Sequence, residues 1–175
     1  CETCMKTGMV MVFGEITTKT ILDYQKILRG AIKDIGFDDD KKGFNFKTCN
    51  VLVAIEQQSP EINAGVFGDS EIGTEDLGAG DQGLMFGYAT DETPTLMPLS
   101  YELARQLAKE ISDQRRSGEL AWAYPDAKTQ VSVEYDLDTA GGKQVLTPKR
   151  IDNVLISVQH SADVTNETIR DRKSV

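Results

Sequence analysis

The sequence predicts an α+β protein made of small β-sheets, each with helices packed on one face. Three observations point there. Short apolar runs bounded by glycine alternate with longer stretches whose apolar residues recur at helical spacing. A strictly alternating run, Val131, Val133 and Tyr135, precedes a Gly141-Gly142 pair that can turn the chain into a hairpin. The order strand, helix, strand occurs near the start, and such units stack in two layers.

Gly8 to Gly14 reads as a buried strand, with Met9-Val10-Met11-Val12-Phe13 between the glycines. Ile21, Leu22, Ile27, Leu28, Ala31, Ile32 and Ile35 then follow a helical period, and Gly36 supplies the residue that ends a helix by tolerating positive φ. Asp38 to Gly43 is a polar turn, and Cys49 to Ile55 is a second β-rich run. From Gln57 to Gly83 the periodicity fades into glycines and acids, so this stretch reads as a lid, linker or disordered loop without structure of its own. Leu84 to Ala89 reads as a strand. Pro98 leads into a helix with Leu103, Ala104, Leu107, Ala108 and Ile111 on one face, ending at Gly118. Ile151 to Val158 returns as a strand, and a helix begins near Asp163. The chain divides accordingly into 1–56, 57–83 and 84–175.

The 175 residues carry a formal net charge of −9 and include 39% hydrophobic residues. An acidic surface of this kind argues against nucleic acid and anionic membranes as partners. No apolar run reaches the ~18–20 residues that span a bilayer. Cys1, Cys4 and Cys49 form a sparse, odd set; Cys1 and Cys4 make a lone CxxC, which reads as incidental thiols in a reducing, cytoplasmic compartment. Both ends of the chain look cut.

Gly78 to Gly83 matches GxGxxG, but a dinucleotide-binding turn needs a strand before it and a helix after it. Here an acidic loop precedes, a strand-like run follows, and Asp81 puts negative charge where a phosphate would sit. Taken further, the segment reads GAGDQGLMFGYATDET, Gly78 to Thr93. This resembles the first signature of the S-adenosylmethionine synthetases over its whole length. Other blocks are similar to that family in the same order: CET (Cys1–Thr3), KTGMV and GEIT (Lys6–Thr17), FKTCNVLVAIEQQSPEI (Phe46–Ile62), RRSGEL and PDAKTQVSVEY (Arg115–Tyr135), and ISVQH (Ile156–His160). The EQQSP wording resembles eukaryotic members. The final Arg170–Val175 leaves the family pattern.

The resemblance implies an activity. Members join ATP to L-methionine, the methionine sulfur displacing the whole triphosphate from C5′, with magnesium and potassium ions assisting. It also implies roles by motif. Glu2 matches a potassium ligand; Glu15, Gln58 and Asp81 match methionine-binding residues; Asp126 and Lys128 match an ATP-binding pair, with Lys128 catalytic through the departing triphosphate. His160, the only histidine, falls outside the family's catalytic histidine motif and reads as structural. The loop from Gln58 to Gly80 matches a mobile active-site gate. The three segments become the C-terminal part of an N-terminal domain (1–56), the gate (57–83) and an incomplete central domain (84–175). The HPDK motif and the GGGAFSGKD segment of the family do not occur in this sequence, so most magnesium ligands are missing as well. Two readings stay open. The chain is part of a longer enzyme that works as a homodimer or dimer of dimers and is inactive alone, or it is a non-catalytic binding or assembly protein that dimerises with a complete relative.

Overall fold

In a computed structural model, residues 1–67, 78, 83–142 and 145–171 are described. They form two units, Cys1–Phe86 and Gly87–Val175. Small sheets with helices against them match the α+β class read from the sequence.

In the first unit, β1 (Glu2–Lys6) and β2 (Met9–Ile16) form an antiparallel hairpin turning at Gly8, whose φ of 79° suits glycine. β2 also pairs in parallel with β5 (Asn50–Gln57). Two parallel neighbours need a crossover, and α1 (Tyr24–Ile35) with the short pair β3 (Asp38–Asp39) and β4 (Phe44–Asn45) supplies it.

The helix ends where the sequence said and starts later. Asp23 caps it by accepting from the Lys26 amide at 3.0 Å. Gly36 (φ 111°) donates to Lys33 O, and Phe37 donates to Ile32 O. That is a Schellman closure, and Ile32 and Phe37 complete it by packing together in the core. Ile21 lies outside the helix and is almost fully exposed, and Ile27 and Ile35 are exposed as well; Ile32 is buried and Leu28 packs on the core. The core holds Val10, Ile32, Phe37, Phe44 and Cys49, with Phe37 and Phe44 edge to face at 5.4 Å. The Arg29 guanidinium donates to Phe46 O (2.6 Å) and Cys49 O (3.1 Å), tying α1 to the turn that launches β5. A helix, α2 (Pro60–Phe67), follows β5, where the sequence suggested no structure.

In the second unit, α3 (Leu99–Ser117) lies on a long antiparallel ribbon of β6 (Ala123–Asp138) and β7 (Val145–His160). Gly141 and Gly142, both with positive φ, sit in the bend of the ribbon. Leu120, Ala123 and Val131 are buried. Both strands are far longer than the sequence signal. The chain closes with α4 (Asn166–Asp171). Leu84 to Ala89 has no strand partner among the described residues. Leu84, Met85 and Phe86 are each more than 80% exposed, which overturns their reading as a strand. No described helix is long and apolar enough to cross a membrane.

Candidate functional site

The parallel pairing of β2 and β5 decides the geometry of the first unit's site. Their register runs from Met9 opposite Asn50 to Ile16 opposite Gln57, so both strands finish at the same sheet edge. Gln58 extends the ladder by donating its amide to Ile16 O at 3.3 Å. Ligands in sheets with parallel strands gather outside such carboxyl ends. Here Glu15, Ile16 and Thr17 from β2 and its exit, Gln58 from the exit of β5, and Ile62, Asn63 and Val66 from α2 line an open pocket of about 600 Å³. A carboxylate and an amide thus meet with three aliphatic side chains.

Gly14 sets the approach to Glu15. Its φ is 139°, and a Cβ there would come within 2.9 Å of Cys1 Cα. No other residue fits that spot without moving the backbone just ahead of Glu15.

Asp126 and Lys128 belong to the second unit. The pleat of β6 puts Ala127, Thr129 and Val131 inward and leaves Asp126, Lys128 and Gln130 exposed on the other face. Thr129 Oγ1 donates to Ala104 O of α3 at 2.7 Å, which identifies the inner face. Lys128 stands opposite Ser157 of β7. His160 ends β7, exposed, with Nδ1 2.8 Å from Ser161 O.

Glu2 lies exposed on β1 opposite Phe13. Asp81 and most of the GAGDQG segment fall outside the described residues. Among the described residues, no group of three or more His, Cys, Asp or Glu side chains could hold a metal ion. Potassium and magnesium each need several oxygen ligands. Glu2 alone offers one carboxylate, so the described residues do not complete a site for either ion.

Sequence reasoning missed a polar hub behind α3. Glu92 accepts from Tyr135 Oη (2.6 Å), the Leu99 amide (3.2 Å) and Thr90 Oγ1 (3.1 Å). Pro98 gives α3 no side-chain cap, and the Glu92 carboxylate takes that place at the positive end of the helix. The Tyr135 hydrogen bond is the main reason the Glu92 carboxyl sits below its ordinary range, against the opposing effect of burial. Burial, then Glu92, pushes the Tyr135 phenol up to about 12. Next to it, buried Glu102 accepts from Arg105 (2.7 and 3.1 Å), Gln106 (2.8 Å) and Thr95 (3.2 Å). The Arg105 and Gln106 hydrogen bonds hold its carboxyl down to about 2. The only sequence hint was that Glu92 lies in the signature segment, seven residues before the helix it caps. A second pocket, about 640 Å³, opens between α3 and the ribbon and is lined mainly by Leu103, Leu107, Val131, Ile151, Val154 and Ile156; it contains none of the candidate residues.

These features define an α+β protein with a mixed acid–amide–aliphatic pocket at the ends of parallel strands and an exposed acid–lysine pair on a separate ribbon. The family model for the S-adenosylmethionine synthetase N-terminal domain matches residues 1–60, and that for the central domain matches residues 76–174. The chain belongs to the S-adenosylmethionine synthetase family, a family of transferases that make S-adenosylmethionine.

Proposed function

We propose that this chain binds L-methionine between Glu15 and Gln58 and faces ATP with Asp126 and Lys128, as part of a longer enzyme that makes S-adenosylmethionine. The observation that carries the reading is the convergence of Glu15 and Gln58 on one pocket. A carboxylate there can pair with the α-ammonium of methionine, and an amide can meet its carboxylate. Ile16, Ile62 and Val66 offer apolar surface to the thioether chain. Asp81 is read as a further contact to methionine or the nucleoside.

In the reaction, the sulfur lone pair forms the bond to C5′ while the C5′–O bond breaks and its electron pair leaves on the triphosphate. A thioether is a neutral and modest nucleophile, so the site must align sulfur, carbon and leaving oxygen and offset the growing negative charge. Asp126 accepts a hydrogen bond from the ribose or adenine, and the Lys128 ammonium lies against the departing oxygen. Magnesium and potassium would supply further positive charge, with Glu2 offering one carboxylate to potassium. Turnover also calls on the histidine and lysines of the HPDK and GGGAFSGKD motifs, which this sequence does not contain. The working enzyme is read as a cytoplasmic homodimer or dimer of dimers.

Calorimetric titration with L-methionine tests the reading. The chain is expected to bind, Glu15→Ala to weaken binding at least about tenfold, and 3-(methylthio)propionate, which lacks the ammonium, to bind no better to the parent chain than to the variant. Equal methionine affinity in the parent chain and Glu15→Ala would sink it.

A further inference from the structure

We infer that Thr129 is a positioning residue for Lys128, acting through its bond to α3; the inference rests on Asp126 and Lys128 being the nucleotide-facing pair. The start of β6 is irregular. The ladder to β7 shifts between Ala123 and Ala127, and unbroken pairing resumes at Ala127 opposite Val158, Lys128 opposite Ser157 and Thr129 opposite Ile156. Asp126 and Lys128 therefore flank the point where regular register begins.

A slip of one residue would exchange the two faces of the strand. It would turn Lys128 toward α3 and Thr129 outward. Buried Val131 resists that slip two residues further on, but beside Lys128 itself packing is light, because Ala127 is small and Thr129 is only partly buried. The Thr129 hydroxyl adds a directional constraint. It donates at 2.7 Å to the Ala104 carbonyl, 25 residues away on a different element. Ala104 lies well inside α3, away from its fraying ends. The bond thus links the strand to a fixed point, one residue from the Lys128 backbone, and holds the lysine on the outer face beside Ser157.

Valine at 129 would keep the shape and delete the donor, while serine would keep the donor and delete a methyl group. ATP affinity, measured by calorimetry on the full chain, is the readout. Thr129→Val is expected to weaken ATP binding about tenfold, since small displacements of a positioned group cost that much or more. Thr129→Ser is expected to stay within about twofold, and L-methionine affinity is expected to be unchanged in both. Lys128→Ala gives the reference, and the double variant Thr129→Val/Lys128→Ala is expected to bind no worse than Lys128→Ala alone, because the threonine acts through the lysine.

A lower melting temperature in Thr129→Val with unchanged ATP affinity would overturn the inference, as would an equal further loss in the Lys128→Ala background. If Lys128→Ala itself binds ATP like the parent chain, the nucleotide reading falls and takes this inference with it. If Lys128→Ala is weakened and Thr129→Val is not, only this inference falls.

Discussion

Replacing Tyr135 by phenylalanine removes one hydroxyl from a partly buried hydrogen bond of 2.6 Å to the Glu92 carboxylate. A hydrogen bond to a charged group contributes about 1.5–3 kcal/mol net. Glu92 keeps the Leu99 amide and Thr90 as donors, so the lower end applies, about 1.5 kcal/mol. For a unit of this size such a loss lowers the melting temperature by about 6–12 °C. The pH dependence separates this loss from a simple packing defect. In the parent chain the carboxyl sits below its ordinary range chiefly because Tyr135 donates to it. Its contribution is complete above the unfolded value and disappears as the pH falls through the lowered folded one. Without the hydroxyl the folded value rises toward the unfolded one, and the acid limb should shrink. The phenol behaves oppositely. Held up to about 12, it contributes below its unfolded value of 10 and loses that as the pH rises toward 12. Tyr135→Phe should erase that alkaline limb. Thermal melts followed by circular dichroism across the pH range give both limbs. A variant that melts with the parent chain and keeps the same acid limb would refute the reasoning.

Two further perturbations address other parts of the fold. Glu102→Gln should lower stability at neutral pH and flatten the acid limb between 4.5 and about 2, where the parent carboxylate loses its charge and its Arg105 and Gln106 bonds; an acid titration of the folded signal checks this, and an unchanged limb counts against it. Gly14→Ala should cost about 1–3 kcal/mol through its positive φ and its clash with Cys1, and should weaken methionine binding although residue 14 does not line the pocket; calorimetry and melting together would reveal an effect on only one of the two.

Several elements were legible because their signals are local. Gly36 ends α1 as read, since the glycine, the apolar C″ residue Phe37 and the last turn all lie within a few residues. The same holds for α3 up to Gly118 and for the bend at Gly141-Gly142. Elements whose stability comes from partners elsewhere were not legible. Leu84 to Ala89 has every mark of a strand by composition yet gains no partner among the described residues. β1 is too polar to stand out and exists by pairing with β2. α2 was hidden by Gly65 and by weak periodicity, although Pro60 at its first position was a start signal. The ends of the ribbon are mostly exposed, so no burial pattern marks them. At the site, motif resemblance named Glu15 and Gln58, but their convergence depends on β2 and β5 being parallel neighbours, a non-local pairing that neither run encodes alone. The hub of Glu92 and Tyr135 joins residues 43 apart, and although both lie in quoted motif blocks, neither segment encodes their pairing.

On the proposed function, methionine occupies the pocket at the ends of β2 and β5. The most direct test of this is amide chemical-shift mapping of the isotopically labelled chain during titration with L-methionine. Saturable shifts are expected at Glu15, Ile16, Thr17, Gln58 and Asn63, and none of them in Glu15→Ala. Shifts confined to Leu103, Leu107, Ile151 and Ile156 around the other pocket, or no saturable shifts at all, would contradict it.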